Sequence, residues 1–136
     1  LQKCFTTGLL PEKHAGVTNQ LPLVGTPREP VQHRISDAQG LHSYGSEAAE
    51  VRAMPGAQTD LGGGLTEAMV RFAARFEYAC TVEDVLARRS RLLFLDARKA
   101  MELAPVVARI LSEELGSDPQ LDAFLALAPQ YLHVPA

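Results

Sequence analysis

Prolines and glycines interrupt the first 30 residues so often that no helix of useful length fits there. The breakers are Gly8, Pro11, Gly16, Pro22, Gly25, Pro27 and Pro30. An internal proline removes a backbone donor and clashes with the preceding turn, so each one limits how far a helix can extend. We therefore predict an extended connector over residues 1–36, in which residues 17–24 could form a short arm that lies on a neighbour.

From residue 37 the chain becomes rich in alanine, leucine and arginine at helical spacing. Residues 41–44 predict a helical turn, and Ser46 can cap a helix that ends near Met54. Thr66 offers the cap of a better-defined helix with Glu67, Arg71 and Arg75 on its solvated face. The apolar stripe of that helix is Leu65, Met69, Phe72, Ala73, Phe76 and Cys80. Such a stripe is typical of a core, so Cys80 is interpreted as a small buried hydrophobe.

Residues 81–98 combine a helix-start signal, a basic cluster and four consecutive apolar residues. Thr81 and Asp84 have the spacing of a capping box, which predicts that the chain bends after Cys80 and starts a new helix. The apolar run over residues 92–95 should be buried on most sides, and it is read as helix although a short strand is the alternative. This stretch therefore predicts a hinge and a core segment.

The last part of the chain continues the helical pattern to the C-terminal region. Pro105 predicts a break after Leu103 or a kink, and Gly116 is the natural residue for a helix end. Ser117 or Asp118 is expected to cap the last helix. Together these signals predict an all-α fold, a compact bundle of about five helices over residues 37–136.

Composition excludes several classes of protein. The chain has 136 residues, 46% of them hydrophobic, and a net charge of −3, which favours a folded domain and disfavours a surface that neutralises phosphates. No apolar run approaches the roughly 20 residues that cross a bilayer. The two cysteines, Cys4 and Cys80, do not form a disulfide framework, so we expect a reducing, cytoplasmic compartment.

The sequence offers no candidate catalytic, cofactor-binding or metal-binding residues. The glycines of residues 62–64 lack the lysine and hydroxyl of a phosphate-binding loop, and we interpret them as a flexible entry to the next helix. The four histidines are dispersed, and no pair of them has the spacing of a zinc site. The sequence by itself predicts a helical accessory domain.

Four arginines are the candidate contacts with another domain or partner: Arg88, Arg89, Arg91 and Arg98. Acidic residues are interleaved with them, so the favoured interpretation is a network of ion pairs within and between helices. A clamp on a neighbouring domain and a phosphate footprint are the alternatives. The last of these would make the chain a freestanding interaction or nucleic-acid-binding module.

Residues 77–98 resemble the signature of the C-terminal helical domain of FAD-dependent glycerol-3-phosphate dehydrogenases. Three other stretches agree with that family in the same order, at residues 17–25, 41–48 and 104–116. Tyr78 stands where the family commonly has methionine, and Ser117 where an aromatic residue often follows the glycine. Both departures affect the expected packing of the helices.

The resemblance implies a parent enzyme that oxidises sn-glycerol 3-phosphate to dihydroxyacetone phosphate through FAD and passes electrons to quinone. It implies that residues 1–36 are a connector from a missing catalytic domain that holds FAD and substrate, and that this chain itself binds no cofactor. We expect a bacterial parent, peripherally associated with the cytoplasmic face of the membrane. A homo-oligomer is possible, and nucleic acid is not an expected partner.

Overall fold

A computed structural model describes residues 2–11, 21–26 and 39–132 of the chain. The first half contains helix α1 (Gln2–Thr6), a 3₁₀ helix (Leu41–Glu47), helix α2 (Ala48–Ala53), strands β1 (Asp60–Gly62) and β2 (Leu65–Thr66), and helix α3 (Glu67–Phe76). The second half contains a π-helix (Asp84–Arg89), helices α4 (Leu92–Leu95), α5 (Ala97–Leu115) and α6 (Leu121–Leu127), and a 3₁₀ helix (Ala128–Tyr131). The predicted all-α class is confirmed.

Helix α5 is the centre of the bundle. It packs against α3, α4, α6, the π-helix and the second 3₁₀ helix. The fully buried large side chains come from these elements, from α2 and from the turn before the π-helix, and they are Phe72, Phe124, Met69, Leu86, Leu93, Ile110, Leu111, Val51, Val70, Val82, Val85 and Val107. Their removal from water is the main favourable term in the stability of the domain.

Pro105 lies inside α5, and the helix continues through it to Leu115. Of the two predicted alternatives, the break after Leu103 is therefore wrong, and the kink at Pro105 stays a prediction. Two breaks occur earlier instead, at Arg91, which adopts a left-handed conformation with φ 56°, and at Asp96, which caps α5 by accepting a hydrogen bond from the Lys99 amide at 2.9 Å.

The predicted caps at Thr66 and Thr81 form. The Thr66 hydroxyl accepts from the Met69 amide at 3.3 Å. The Thr81 hydroxyl accepts from the Asp84 amide at 3.1 Å, and the Asp84 carboxylate accepts from the Thr81 amide at 3.0 Å. These reciprocal bonds satisfy backbone donors that have no partner inside a helix.

Two other predicted caps are wrong. Ser117 does not cap α6, because Gln120, with φ 58°, precedes that helix and its amide donates to the Asp118 carboxylate at 2.9 Å. Ser46 does not cap α2, because the preceding 3₁₀ helix runs directly into it through Glu47. Gly116 ends α5 as predicted, in a left-handed conformation with φ 64°.

Strands β1 and β2 form an antiparallel hairpin with Asp60 opposite Thr66 and Gly62 opposite Leu65. Its turn needs glycine, because Gly63 and Gly64 have φ of 63° and 78°. The glycine run is therefore the turn of a hairpin before α3, which the sequence did not predict. The runs on either side are too short to show the alternating pattern that signals a strand.

Several side chains predicted to be buried are exposed. Helix α3 ends at Phe76, so Phe76 lies at its exposed end and Cys80 lies beyond it, where the helical period no longer applies. In α4, Leu92 and Leu93 are buried while Phe94 and Leu95 are exposed. A single turn of helix on the surface of a core can bury only one of its sides.

The predicted connector is described only in part. Residues 12–20 and 27–38, which include the first half of the arm at 17–24, lie outside the described residues. Gln2–Thr6 forms a short helix where extended chain was predicted. The Gly25 carbonyl accepts from the Ser46 amide at 3.2 Å, so residues 21–26 contact the start of the bundle.

Candidate domain-docking surface

The π-helix forms because Ser90 satisfies a widened turn. The Ser90 amide donates to the carbonyl of Val85, five residues earlier, at 2.9 Å. The buried Ser90 hydroxyl also donates to the Val85 carbonyl at 3.0 Å, and the Leu86 carbonyl is a second acceptor at 3.3 Å. Single turns of π-helix are rare and occur often at functional sites.

Two of the four predicted contact arginines have partners next to them. Arg88 pairs with Glu83 at 2.6 Å and with Asp84 at 2.5 Å. Arg89 pairs with Glu77, just beyond the end of α3, at 3.3 Å. Arg88 and Arg89 thus form ion pairs of the kind that the favoured interpretation predicted.

The Asp84 carboxylate is the centre of this local arrangement. Burial by itself would raise the pKa of Asp84, but the amides of Cys80 and Thr81, the Thr81 hydroxyl and the Arg88 guanidinium lower it below its usual range. The charged carboxylate therefore fixes the bend after Cys80 and positions Arg88 on the first turn.

The other two arginines flank an exposed apolar patch. Arg91 and Arg98 make no side-chain hydrogen bond or ion pair within residues 39–132 and the other described segments. Between them Phe94 is 56% exposed and Leu95 is 76% exposed. Phe94 packs edge-to-face on Tyr131, with ring centroids 5.4 Å apart. We call these five residues the Arg91–Arg98 surface.

A polar cavity of about 290 Å³ lies beside the start of the bundle. Its lining residues are Val24, Gly25, Gln39, Ser43, Tyr44, Glu47, Glu77 and Arg89. Burial raises the pKa of the Tyr44 hydroxyl. It also raises the pKa of the Glu77 carboxyl, against the opposing effect of Arg89. The cavity thus holds a carboxyl group that is harder to ionise than an exposed glutamate.

Neither this cavity nor the hairpin fits FAD. A dinucleotide is bound where a glycine-rich turn joins a parallel strand to the N-terminus of a helix. In the described residues the sheet is an antiparallel hairpin of a three-residue and a two-residue strand, and the glycines at 62–64 form its tight turn. The described residues therefore offer no geometry through which a flavin step could be derived.

A second ion-pair network joins α3 to α5, and sequence reasoning missed it. Arg71 bonds Glu67 at 2.5 Å, Glu113 at 2.8 Å and Glu114 at 2.5 Å. Arg75 also pairs with Glu114, at 2.5 Å. The predicted solvated face of α3 is thus covered by the end of α5, and the only sequence signal was the adjacent pair of glutamates at 113 and 114.

The described part of the chain has neither a metal-binding cluster nor a membrane-spanning helix. It contains no group of three or more histidine, cysteine or acidic side chains that could hold a metal ion. None of its helices has the length and apolar character to span a membrane.

Comparison with known families identifies the chain. The family described as "C-terminal domain of alpha-glycerophosphate oxidase" matches residues 16–121. The chain belongs to this family. The match includes the hairpin, the π-helix and the Arg91–Arg98 surface except Tyr131, so the resemblance seen at residues 77–98 is confirmed.

Curated relatives carry glycerol-3-phosphate dehydrogenase names. A probable mitochondrial glycerol-3-phosphate dehydrogenase of Caenorhabditis elegans is 54% identical over 50 residues, which is 37% of this chain and 7% of the relative. A mitochondrial glycerol-3-phosphate dehydrogenase of Schizosaccharomyces pombe is 43% identical over 53 residues, 39% of this chain and 8% of the relative. A probable mitochondrial enzyme of Dictyostelium discoideum is 40% identical over 76 residues, 52% of this chain and 12% of the relative.

The oxidase C-terminal domain family thus accounts for most of the chain, but the chain spans a small fraction of each of these relatives. All three relatives are mitochondrial by name, and they do not support the expectation of a bacterial parent at the cytoplasmic face of a membrane. The alternative of a freestanding nucleic-acid-binding module has no support from the family match. No solved structure showed a significant match to the chain.

Proposed function

We propose that this chain is the C-terminal helical accessory domain of an FAD-dependent glycerol-3-phosphate dehydrogenase. The parent enzyme oxidises sn-glycerol 3-phosphate to dihydroxyacetone phosphate and passes the electrons to quinone. The observation that carries the proposal is the family match over residues 16–121, and the names of the curated relatives support it. FAD and substrate are held by the remainder of the parent.

The role of this chain in that enzyme is structural. It supplies a packed helical body, with a core centred on α5 and a surface of arginine and apolar residues that faces outward. In the proposal the parent is attached peripherally to a membrane, and the mitochondrial relatives make the mitochondrion the compartment to test first. Association into a homo-oligomer remains part of the proposal.

The test uses the full-length protein encoded by the same gene. Purified enzyme should show a flavin absorbance spectrum and should reduce a soluble quinone analogue when sn-glycerol 3-phosphate is added, with dihydroxyacetone phosphate as product. A full-length protein that reduces the quinone analogue no faster with this substrate than without it would contradict the proposed activity.

The same experiment separates the accessory role from a cofactor-binding role. The 136-residue chain alone, titrated with FAD, is expected to show no saturable quenching of flavin fluorescence and no rise in melting temperature. A ligand that binds only the folded state must raise the melting temperature, so a saturable rise would show that this chain holds the cofactor.

A further inference from the structure

We propose that the Arg91–Arg98 surface is the face on which this domain docks against the catalytic part of its own polypeptide. This inference rests on the proposed function and names the partner surface within it. The complementary face of the catalytic part is expected to be an apolar hollow with carboxylates at its rim, which would receive Phe94 and Leu95 and pair with the two arginines.

The first argument is the exposure of Phe94 and Leu95. These two side chains follow two buried leucines in the same four-residue helix, so α4 already uses one side for the core and presents the other outward. Tyr131 extends the patch through its edge-to-face contact with Phe94. Contiguous apolar patches with a polar rim are typical of protein–protein contacts.

The second argument is the backbone that presents the patch. Arg91 has φ 56°, a left-handed conformation that is unfavourable for a residue with a side chain. It lies two residues after the end of a π-helix, which is a rare type of turn. Departures from regular geometry of this kind cluster where a segment is shaped for contact. Here they immediately precede α4, on whose exposed side Leu95 lies.

The third argument is charge. The structure divides the four candidate arginines into two classes: Arg88 and Arg89 have carboxylate partners, whereas Arg91 and Arg98 have none within the described residues. A guanidinium has five donors in a planar fork that suits a carboxylate. In a chain of net charge −3, two unpaired arginines on either side of an apolar patch favour an acidic rim on the partner.

The size of the patch favours a tethered partner over a second copy. The exposed parts of Phe94, Leu95 and Tyr131 amount to on the order of 300 Å², whereas a stable complex of two separate proteins buries about 800 Å² on each. A domain in the same polypeptide is held at an effective concentration of about millimolar or more, so a small apolar centre is sufficient. The named relatives are many times longer than the matched stretch, which provides that partner.

The test measures the accessibility of a thiol placed in the patch of the full-length enzyme. Leu95→Cys is compared with Leu9→Cys, because the two leucines are 76% and 75% exposed within this chain. Each enzyme is treated with iodoacetamide, and labelling is followed peptide by peptide with mass spectrometry. The native Cys80, which is exposed, serves as the internal reference for both variants.

We expect the thiol at position 95 to react at least tenfold more slowly than Cys80, and the thiol at position 9 to react at a similar rate to Cys80. Adding Arg91→Glu and Arg98→Glu to Leu95→Cys should restore fast labelling, whereas Arg109→Glu, at an exposed position of α5, should not. Equal rates at positions 95 and 80 would overturn the proposal.

Two other results would assign the surface to a different partner and also overturn it. Protection that disappears on dilution to a monomeric enzyme would indicate a second copy. Protection that appears only with vesicles of phosphatidylcholine and cardiolipin would indicate lipid. Labelling of the thiol does not depend on catalysis. An enzyme that fails to oxidise glycerol 3-phosphate would therefore refute the proposed function, and its labelling rates would still test the docking surface.

Discussion

Among single residues, Arg71 connects the most charged groups. Its guanidinium is 13% exposed and it bonds three glutamates, one of which, Glu114, is 7% exposed. Removing one partner of a buried ion pair leaves the other charge in a poorly solvated place, and this usually costs more than the pair itself contributes. Through these ion pairs Arg71 links α3 to α5.

Arg71→Ala is expected to lower the free energy of unfolding by about 3 kcal/mol, because Glu114 would keep only Arg75 as its partner. The control is Arg109→Ala, which removes an exposed ion pair with Glu113 and should cost about 0.5 kcal/mol or less. Urea unfolding followed by circular dichroism measures both. Equal losses in the two variants would show that the Arg71 network is solvated.

The same network predicts a dependence of stability on pH. Hydrogen bonds from Arg75 and Arg71 lower the pKa of Glu114, and bonds from Arg71 and Arg109 lower the pKa of Glu113. A lowered pKa in the folded state contributes stability above the unfolded value of about 4.3, and this is lost as pH falls through the folded value. Stability should therefore decline below about pH 4, and less steeply in Arg71→Ala than in the unsubstituted chain.

Sequence patterns predicted Thr66, Thr81 and Gly116 correctly because caps are local: each depends on a side chain or a φ angle within four residues of the helix end. Sequence patterns did not predict the environments of Arg71 and Cys80, because these depend on other elements or on where a helix ends. Arg71 is covered by the end of α5, and Cys80 follows a helix that ends four residues earlier than its apolar period suggested. A periodic apolar stripe in the sequence does not show at which residue the helix ends.

At the scale of elements, the β1–β2 hairpin is fixed by its glycines. A Cβ atom on Gly64 would lie 2.3 Å from the Gln39 carbonyl oxygen, and Gly64 has φ 78°. Gly116 has a similar φ of 64°, but a Cβ atom there would meet no atom within 4 Å. Alanine substitutions at the two glycines therefore separate the cost of the left-handed backbone conformation from the cost of the steric contact.

Gly64→Ala should cost about 3 kcal/mol or more, since the left-handed conformation by itself costs about 1–2 kcal/mol and a displaced backbone adds to it. Gly116→Ala should cost only the conformational part, about 1 kcal/mol. Thermal unfolding of both variants in the same buffer measures the difference. Similar melting temperatures for the two would indicate that residues 39 and 64 are farther apart than described.

The helices with strong periodic signals were predictable as elements, and the hairpin, the π-helix and the split at Asp96 were not. The hairpin has strands of three and two residues, which are too short to show alternation. The π-helix depends on a hydroxyl of Ser90 that satisfies a carbonyl five residues earlier, and no sequence pattern encodes that widened turn. The candidate docking surface follows from this turn, so the sequence indicated its arginines but not its apolar centre.

At the scale of the whole molecule, the boundary between core and surface passes through α4. Leu93 is 1% exposed, while Leu95, two residues later, is 76% exposed. In the 136-residue chain, Leu93→Asp should prevent folding because it buries an unpaired charge. Leu95→Asp should change the free energy of unfolding by about 0.5 kcal/mol or less. Circular dichroism with urea titration checks both, and a loss of fold in Leu95→Asp would place that side chain in the core.

The central position of α5 also has a kinetic consequence. Its 19 residues span about 28 Å, and α3, α4 and α6 each rest on it. Contacts of α5 with α4 and α6 join segments that are near in sequence, so they cost little loop entropy and are expected to form first, whereas the α3–α5 contact between Arg71 and Glu114 spans 43 residues. Ala108→Gly in the middle of α5 should then slow refolding, whereas Phe72→Leu at a buried position of α3 should mainly speed unfolding. Stopped-flow refolding and unfolding rates measured across a urea series would establish which helices assemble before the folding barrier is crossed.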